Sequence, residues 1–375
     1  MTYLHGIDRV ESADGLLAGK RVGLITNLTG LNSRFRRSVE VLRERYDLVR
    51  LFAPEHGLYG AVQDGVAIDN QIDEESGLPV YSMYHTALSE EELYEGIEVM
   101  CFDIQDIGAR FYTYISTLAR SMKVCAERGI PMVVFDRCNP LGLAKAEGTL
   151  LDETFASGVG MYELPSRHGM TVGEYARYIN EEKGIGCALA VIPCAGLKRS
   201  DTWRQIQYPW VPPSPNIPTY ESALVYIGTV LFEATNVSEG RGTTCPFELI
   251  GAPWIDGFRL AEEMNAKGLA GVHFRATSFV PKFSKYQEQC CGGVQIHVTD
   301  EAAFEPFYCG LLLLETIRQN YTEFAFNKRL PRLLGTDALL REAFDLEPFA
   351  EEHRQKIEAF RERTKKYWLY EEDEP

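Results

Sequence analysis

The residues that could do chemistry sit in short polar blocks, each just past an apolar run. LFAPEHG (51–57) ends a hydrophobic run in Pro54, then sets Glu55 beside His56 ahead of Gly57. A carboxyl and an imidazole delivered into a glycine-punctuated loop are the groups that move protons. MCFDIQDIGARFYTY (100–114) adds Asp103, Gln105, Asp106, Arg110, Tyr112 and Tyr114. VVFDRCNPLG (133–142) adds Asp136, Arg137 and Asn139, and LPSRHGMT (164–171) adds Arg167 and His168. Asn27, Thr29 and Gly30 follow an earlier run, and SEGRGTT (238–244) brings Glu239 and Arg241. The candidates for chemistry are Glu55, His56, Asp103 and Tyr112. Those for substrate binding are Asn27, Gln105, Asp106, Arg110, Asn139, His168, Glu239 and Arg241.

Several chemistries fall away on motif grounds. No GxGxxG follows the first apolar run, and GxxxxGK[ST] occurs nowhere, so neither a dinucleotide nor a triphosphate cradle is expected. A serine nucleophile would need the GxSxG elbow. His56, His168 and Asp103 could gather a divalent ion, but no HExxH-like cluster supports it, and the expectation is no metal and no cofactor. Most of the nine cysteines lie in apolar runs, where a buried thiol is inert. Carboxylate chemistry remains. Glycoside hydrolysis needs a proton donor at the leaving oxygen, and Glu55 is the candidate. Asp103 and Asp106 could orient it, bind sugar hydroxyls or stabilise oxocarbenium charge.

The elements that must position these groups read as alternating strands and helices. Val22–Thr26, Leu48–Ala53, Pro79–Tyr84, Val99–Asp103, Met132–Asp136 and Ala188–Pro193 are dense in branched apolar residues, as strands buried on both faces are. Helical patterns cover Arg34–Arg45 and Tyr112–Arg128, the latter stopped by Gly129 and Pro131, and another begins near Thr171. The alternation predicts an α/β, Rossmann-like domain with a mostly parallel sheet. In such a sheet, ligands bind beyond the carboxyl ends of the strands, where the polar blocks fall.

Five prolines crowd the ten residues 209–218, most of them in WVPPSPNIP, which cannot be helix or central strand. The domain boundary is placed there, giving residues 1–217 and 218–375. A smaller α+β domain follows, with a helix over Tyr220–Ala234, strands over Val272–Val280 and Val294–Val298, a buried helix over Phe304–Arg318 and a frayed tail, EEDEP. That second domain is expected to close over a cleft, with SEGRGTT as an anion-binding or gating loop.

Composition sets the outer limits. A net charge of −16 disfavours a nucleic-acid surface. No run of eighteen apolar residues offers a membrane span. The odd number of cysteines and the unremarkable N-terminal residues read as a cytoplasmic chain, unless a leader was removed.

PEHG at 54–57, FDIQDIGARFYTY at 102–114, FDRCNPLG at 135–142, LPSRHGMTVGE at 164–174 and NVSEGRGTTCPFELIGAPW at 236–254 together resemble the NamZ family of exo-β-N-acetylmuramidases. The resemblance spans nearly the whole chain. It implies a Rossmann-like domain, a smaller α+β domain and a cleft between them. It also implies release of terminal β-1,4-linked N-acetylmuramic acid from the non-reducing ends of peptidoglycan fragments, with Glu55 as the matching catalytic glutamate. Such a substrate carries a lactyl carboxylate, which a guanidinium fork recognises best. Arg110 and Arg241 are the candidates for that contact, with Arg137 behind them. Asn27, Asn139, Tyr112 and Tyr114 could hold the N-acetyl group. Two other classes stay open: a metal-assisted hydrolase using His56, Asp103 and His168, and a binding protein that holds an amino sugar without cleaving it.

The same residues also have plain structural readings. Arg110 could pair with Asp106 across a helical turn, His168 could serve a helix cap, and at most one of Tyr112 and Tyr114 should be core.

Overall fold

The computed structural model describes residues 3–60, 70–83, 88–341 and 343–371. Tyr84, at the end of the third expected strand, and residues 372–375 of the EEDEP tail lie outside them.

The first half builds one sheet from β1 (Arg21–Thr26), β2 (Asp47–Ala53), β3 (Gln71–Ile72), β4 (Pro79–Ser82), β5 (Val99–Asp103) and β6 (Met132–Phe135), a short hairpin of β7 (Glu147–Leu150) and β8 (Pro165–Arg167), and then β9 (Leu189–Ile192). The sheet order is β3-β4-β2-β1-β5-β6-β9, parallel except for β3. Both faces of its central strands are covered, which is why β1, β5 and β6 read as apolar runs. Val22 and Leu24 of β1 pack with Leu51, Val99 and Val133 on one face, while Ile25, Phe52, Phe102 and Val134 pack on the other.

The helices of this half are α1 (Asp14–Leu17), α2 (Ser38–Arg43), α3 (Glu90–Tyr94), α4 (Tyr114–Arg128), α5 (Val172–Glu182) and α6 (Trp203–Ile206). α2 is shorter than its apolar pattern suggested. The Asn32 side chain accepts from the Arg34 and Arg36 backbone N–H groups and holds residues 32–36 in a turn. α5 starts as expected, with Thr171 and Glu174 forming a reciprocal capping box.

The second part holds α7 (Tyr220–Thr229), continued by a 3₁₀ turn to Ala234, then β10 (Leu249–Ala252), α8 (Gly257–Ala266), β11 (Val272–Phe279), β12 (Cys291–Val298), α9 (Pro306–Asn320), α10 (Leu330–Leu334) and α11 (Leu346–Thr364). Its strands form an antiparallel sheet in the order β10-β12-β11. One apolar core runs from Phe102 and Leu118 under the large sheet through Leu224 and Leu314 to Phe274 and Val294. Among the described residues no helix is long and apolar enough to cross a membrane.

α11 returns to the first half and docks on β7 through His353, whose Nδ1 accepts the Leu150 backbone N–H at 3.3 Å. Burial pushes the imidazole pKa down to about 4. The unfolded chain therefore binds the extra proton between about pH 4 and 6.5, so this contribution is complete above 6.5 and is lost as pH falls toward 4. Urea titrations across that window should show the wild type gaining about 3 kcal/mol more than His353→Gln as pH rises. Parallel pH profiles would mean that the imidazole is not held neutral.

Candidate active site

PEHG forms a tight turn at the carboxyl end of β2, closed by the Gly57 N–H donating to the Pro54 carbonyl at 3.1 Å. His56 takes φ 72°, a left-handed value at the turn position where glycine is ordinary. A non-glycine residue held there costs about 1–3 kcal/mol, so the imidazole is retained against a backbone penalty. Glu55 is buried, and Thr113, the residue that opens α4, donates its hydroxyl to Glu55 Oε2 at 2.8 Å. Glu55 and His56 face a cavity of about 290 Å³. Its walls include Tyr112, Thr113 and Arg120 from the first half and Asn216, Glu233, Arg241 and Arg329 from further along the chain.

Replacing His56 by glycine should leave folding stability within about 1 kcal/mol, since relief of strain and added backbone entropy oppose one another. Turnover should fall at least about tenfold if the imidazole serves the cleft. Unchanged turnover with a shifted urea midpoint would reduce His56 to a turn residue.

Behind this cavity, the strand ends are filled by the protein's own polar groups. The strand order reverses between β1 and β5, the crevice where a doubly wound sheet usually takes a ligand. Here Asp103 occupies it, fully buried and bound by Arg137 through Nε at 2.6 Å and Nη2 at 2.9 Å, with the Ser38 hydroxyl also donating to it. Asp103 is thus a structural ion, not a group open to substrate, and Arg137 is spent on it. Asn27 Oδ1 accepts the Thr29 hydroxyl at 2.6 Å, and that hydroxyl oxygen accepts the Gln105 backbone N–H at 2.9 Å. Gln105 Nε2 donates to the Asp106 and Cys138 carbonyls. Asp106 pairs with His168 Nε2 at 3.0 Å, while His168 Nδ1 accepts the Met170 N–H, which places the proton on Nε2. Asn139 braces the next turn by donating to the Met170 carbonyl and accepting from the Leu141 N–H. These five residues are buried and do not line the cavity.

Arg110 departs furthest from expectation. Its guanidinium is fully buried and donates to the carbonyls of Thr149 and Leu164 at 3.1 Å and of Leu333 at 2.8 Å, not to Asp106 or to a ligand. His56, Asp103 and His168 do not meet, and no cluster of three or more His, Cys, Asp or Glu groups suited to a metal occurs among the described residues.

Tyr112 lies at the boundary of the cleft. Its ring stacks edge-on against Tyr114 at 4.9 Å and Tyr226 at 6.2 Å. Its buried hydroxyl makes no hydrogen bond of good geometry among the described residues, and neither do Asn27 Nδ2, Gln105 Oε1 or Asp106 Oδ1. Burial raises the Tyr112 pKa well above its ordinary value, so the hydroxyl stays neutral and able to donate. Tyr114 is core, its hydroxyl donating to the Pro213 carbonyl at 2.6 Å. The proline-rich segment is therefore an ordered wall, with buried Ser214 and Asn216 facing the cavity.

Opposite stands the loop 238–244. Arg241 binds Glu233 at 2.6 Å, and Glu239 binds Lys285 at 2.8 Å. Lys285 also donates to the carbonyls of Phe232 and Val237. Glu239 faces an adjoining cavity of about 260 Å³ that shares Glu233, Arg241 and Arg329 with the first. A larger hollow of about 340 Å³ between β7, α9 and α11 contains none of the candidate residues.

Residues 22–221 match the profile of the N-terminal domain of exo-β-N-acetylmuramidase NamZ, and residues 224–370 match that of its C-terminal domain. The chain belongs to the NamZ family. A relative from Bacillus subtilis (strain 168), the peptidoglycan β-N-acetylmuramidase NamZ, is 44% identical over 363 residues, 94% of this chain and 88% of the relative. Two crystal structures of DUF1343 family proteins from Bacteroides fragilis NCTC 9343 share the fold. One has a TM-score of 0.90 at 31% identity, covering 98% of this chain and 99% of its own, and the other 0.82 at 28% identity over the whole of both chains.

In this NamZ-family chain, Glu55, His56, Tyr112 and Arg241 of the sequence candidates line one cavity. Thr113, Glu233 and Arg329 line it as well and are not among the sequence candidates. Thr113 lies inside the 100–114 block, where a threonine before a helical run reads as a helix opener. Glu233 and Arg329 are 96 residues apart in the sequence, and no spacing links them to PEHG.

Proposed function

We propose that the Glu55 cavity is the site at which this chain removes terminal β-1,4-linked N-acetylmuramic acid from non-reducing ends of peptidoglycan fragments. The carrying observation is the buried Glu55 carboxyl, anchored by Thr113 in a cavity that the second part of the chain, taken as residues 218–375, closes against the first, residues 1–217. Glu55 delivers its proton to the glycosidic oxygen as the bond from C1 breaks, so that the leaving sugar departs as an alcohol, while water supplies the new oxygen on C1 and its released proton restores the carboxyl. His56, held in its strained turn, adjoins that proton donor. The Tyr112 hydroxyl and ring supply a donor and an apolar face for the acetamido group. Glu233 is the other carboxylate lining the cavity among the described residues.

The test is release of free N-acetylmuramic acid from a defined MurNAc-GlcNAc disaccharide, with and without chelator. Chelator-resistant release is expected. Binding of the disaccharide without release would replace catalysis by a binding role.

A further inference from the structure

A short helix near the cleft is secured in an unusual way. The last carbonyls of a helix have no partner inside it, and those at the end of α10 are satisfied by donors far away in the chain. Arg110 Nη2 donates to the Leu333 carbonyl at 2.8 Å, the Thr149 hydroxyl to that of Leu334, and the Asp152 N–H to that of Gly335 at 3.0 Å. A cation at a helix carboxyl end is also favoured by the peptide dipoles. Gly335 takes φ 80°, and a Cβ there would stand 2.9 Å from Arg110 Nη1, so the fit leaves room only for glycine.

The other end of α10 is tied as well. Asn327 donates its side-chain N–H to the Glu233 carbonyl at 3.0 Å and its backbone N–H to that of Ala234 at 2.8 Å. Its Oδ1 accepts the Arg329 N–H at 2.9 Å. Arg329, the residue that opens α10, is therefore fixed in its backbone from both sides. It lines both the Glu55 cavity and the adjoining one.

The charges around these two cavities are mostly matched: Arg241 with Glu233, and Lys285 with Glu239. Arg329 is in no ion pair with a carboxylate among the described residues, and the same holds for Arg120. Arg120 rises from α4 at the edge of one cavity only, while Arg329 stands where the two join. A guanidinium on a pre-set backbone, in the same cavity as Glu55, is suited to picking a carboxylate-bearing sugar from a neutral one.

We propose that Arg329 is the specificity-determining residue that binds the lactyl carboxylate of the terminal sugar, with Arg110 as a positioning residue that holds α10 in place. This rests on the muramidase reading above. Arg110, which the motif offers as the carboxylate ligand, acts in this account at one remove.

The test compares MurNAc-GlcNAc with the same disaccharide carrying its lactyl group as the neutral methylamide. Wild type and Arg329→Gln are assayed on both, with Arg329→Lys and Arg120→Gln alongside. Wild type should favour the carboxylate. Arg329→Gln should raise KM for the acid about 10- to 100-fold, the scale of a charge-assisted hydrogen bond. Its kcat/KM on the methylamide, whose neutral carbonyl can accept a hydrogen bond but carries no charge, should fall by a clearly smaller factor, and lysine should restore part of the preference. That difference between the two substrates separates the proposal from a folding defect, which would lower both alike. An Arg329→Gln enzyme that keeps the wild-type preference overturns it, as does loss of preference in Arg120→Gln instead. If wild type cleaves neither disaccharide, the muramidase reading itself fails, a result distinct from either.

Discussion

Glu55→Gln should lose about 10²- to 10⁴-fold in kcat on MurNAc-GlcNAc while keeping its fold and its affinity for the disaccharide. Glutamine has the same shape, and its carbonyl oxygen can still accept the Thr113 hydroxyl, so the local hydrogen bond survives. What disappears is the transferable proton. A sugar alkoxide is a poor leaving group and needs that proton as the bond breaks, whereas an aryl oxide does not. The loss on a 4-nitrophenyl glycoside of N-acetylmuramic acid should therefore be much smaller than on the disaccharide. Steady-state kinetics on both substrates, with disaccharide binding followed by calorimetry, reads this directly. A uniform loss on both substrates would make Glu55 a nucleophile or a binding group. Retention of more than about a tenth of kcat on the disaccharide would remove it from the chemistry.

Asp103→Asn should act on stability, not on the reaction. Arg137 is 2% exposed and shares both carboxylate oxygens of Asp103. Burial works against its charge, yet the adjacent Asp103 carboxylate more than offsets this and holds the guanidinium pKa above its ordinary value. With asparagine in place, the charge stays buried without a counter-ion. Breaking such a pair costs about 3–5 kcal/mol, a large part of a typical folding free energy. The urea midpoint should fall accordingly, while kcat of the molecules that remain folded stays near wild type. Removing both charges, by Asp103→Leu with Arg137→Met, should recover part of the loss. Recovery would be incomplete, because the Ser38 hydroxyl and the Leu31 carbonyl also lose their partners. A stable Asp103→Asn protein with abolished turnover would return Asp103 to the catalytic group.

The two carboxylates show why strand-end position alone could not rank the candidates. Asp103 ends one buried parallel strand and Glu55 follows another, and both lie in blocks rich in polar residues. Their roles divide on what stands above them. The β1–β5 crevice above Asp103 is occupied by Arg137, Ser38 and the Thr29–Gln105 pair, whereas the β2 end opens into the cavity. Arg110 makes the same point for cations. Its partner Leu333 is 223 residues away in the chain, and no local pattern carries that distance.

The sequence by itself determined the six parallel strands of the large sheet, because a strand covered on both faces is apolar along its length whatever surrounds it, whereas the short strands β3, β7, β8 and β10 carry no such run. The same logic gave the α/β class, the run of helices and the polar blocks at the strand ends, and the ordered motifs gave the family. Only the tertiary structure decided which polar residues reach the cavity. Asp103, Asp106, Arg110, Asn139 and His168 satisfy one another or the backbone, since a buried polar group must find a partner before it can be spared for a ligand. Glu55 and Arg329 come to one cavity because the second part of the chain folds back across the first, bringing together residues that no sequence spacing relates.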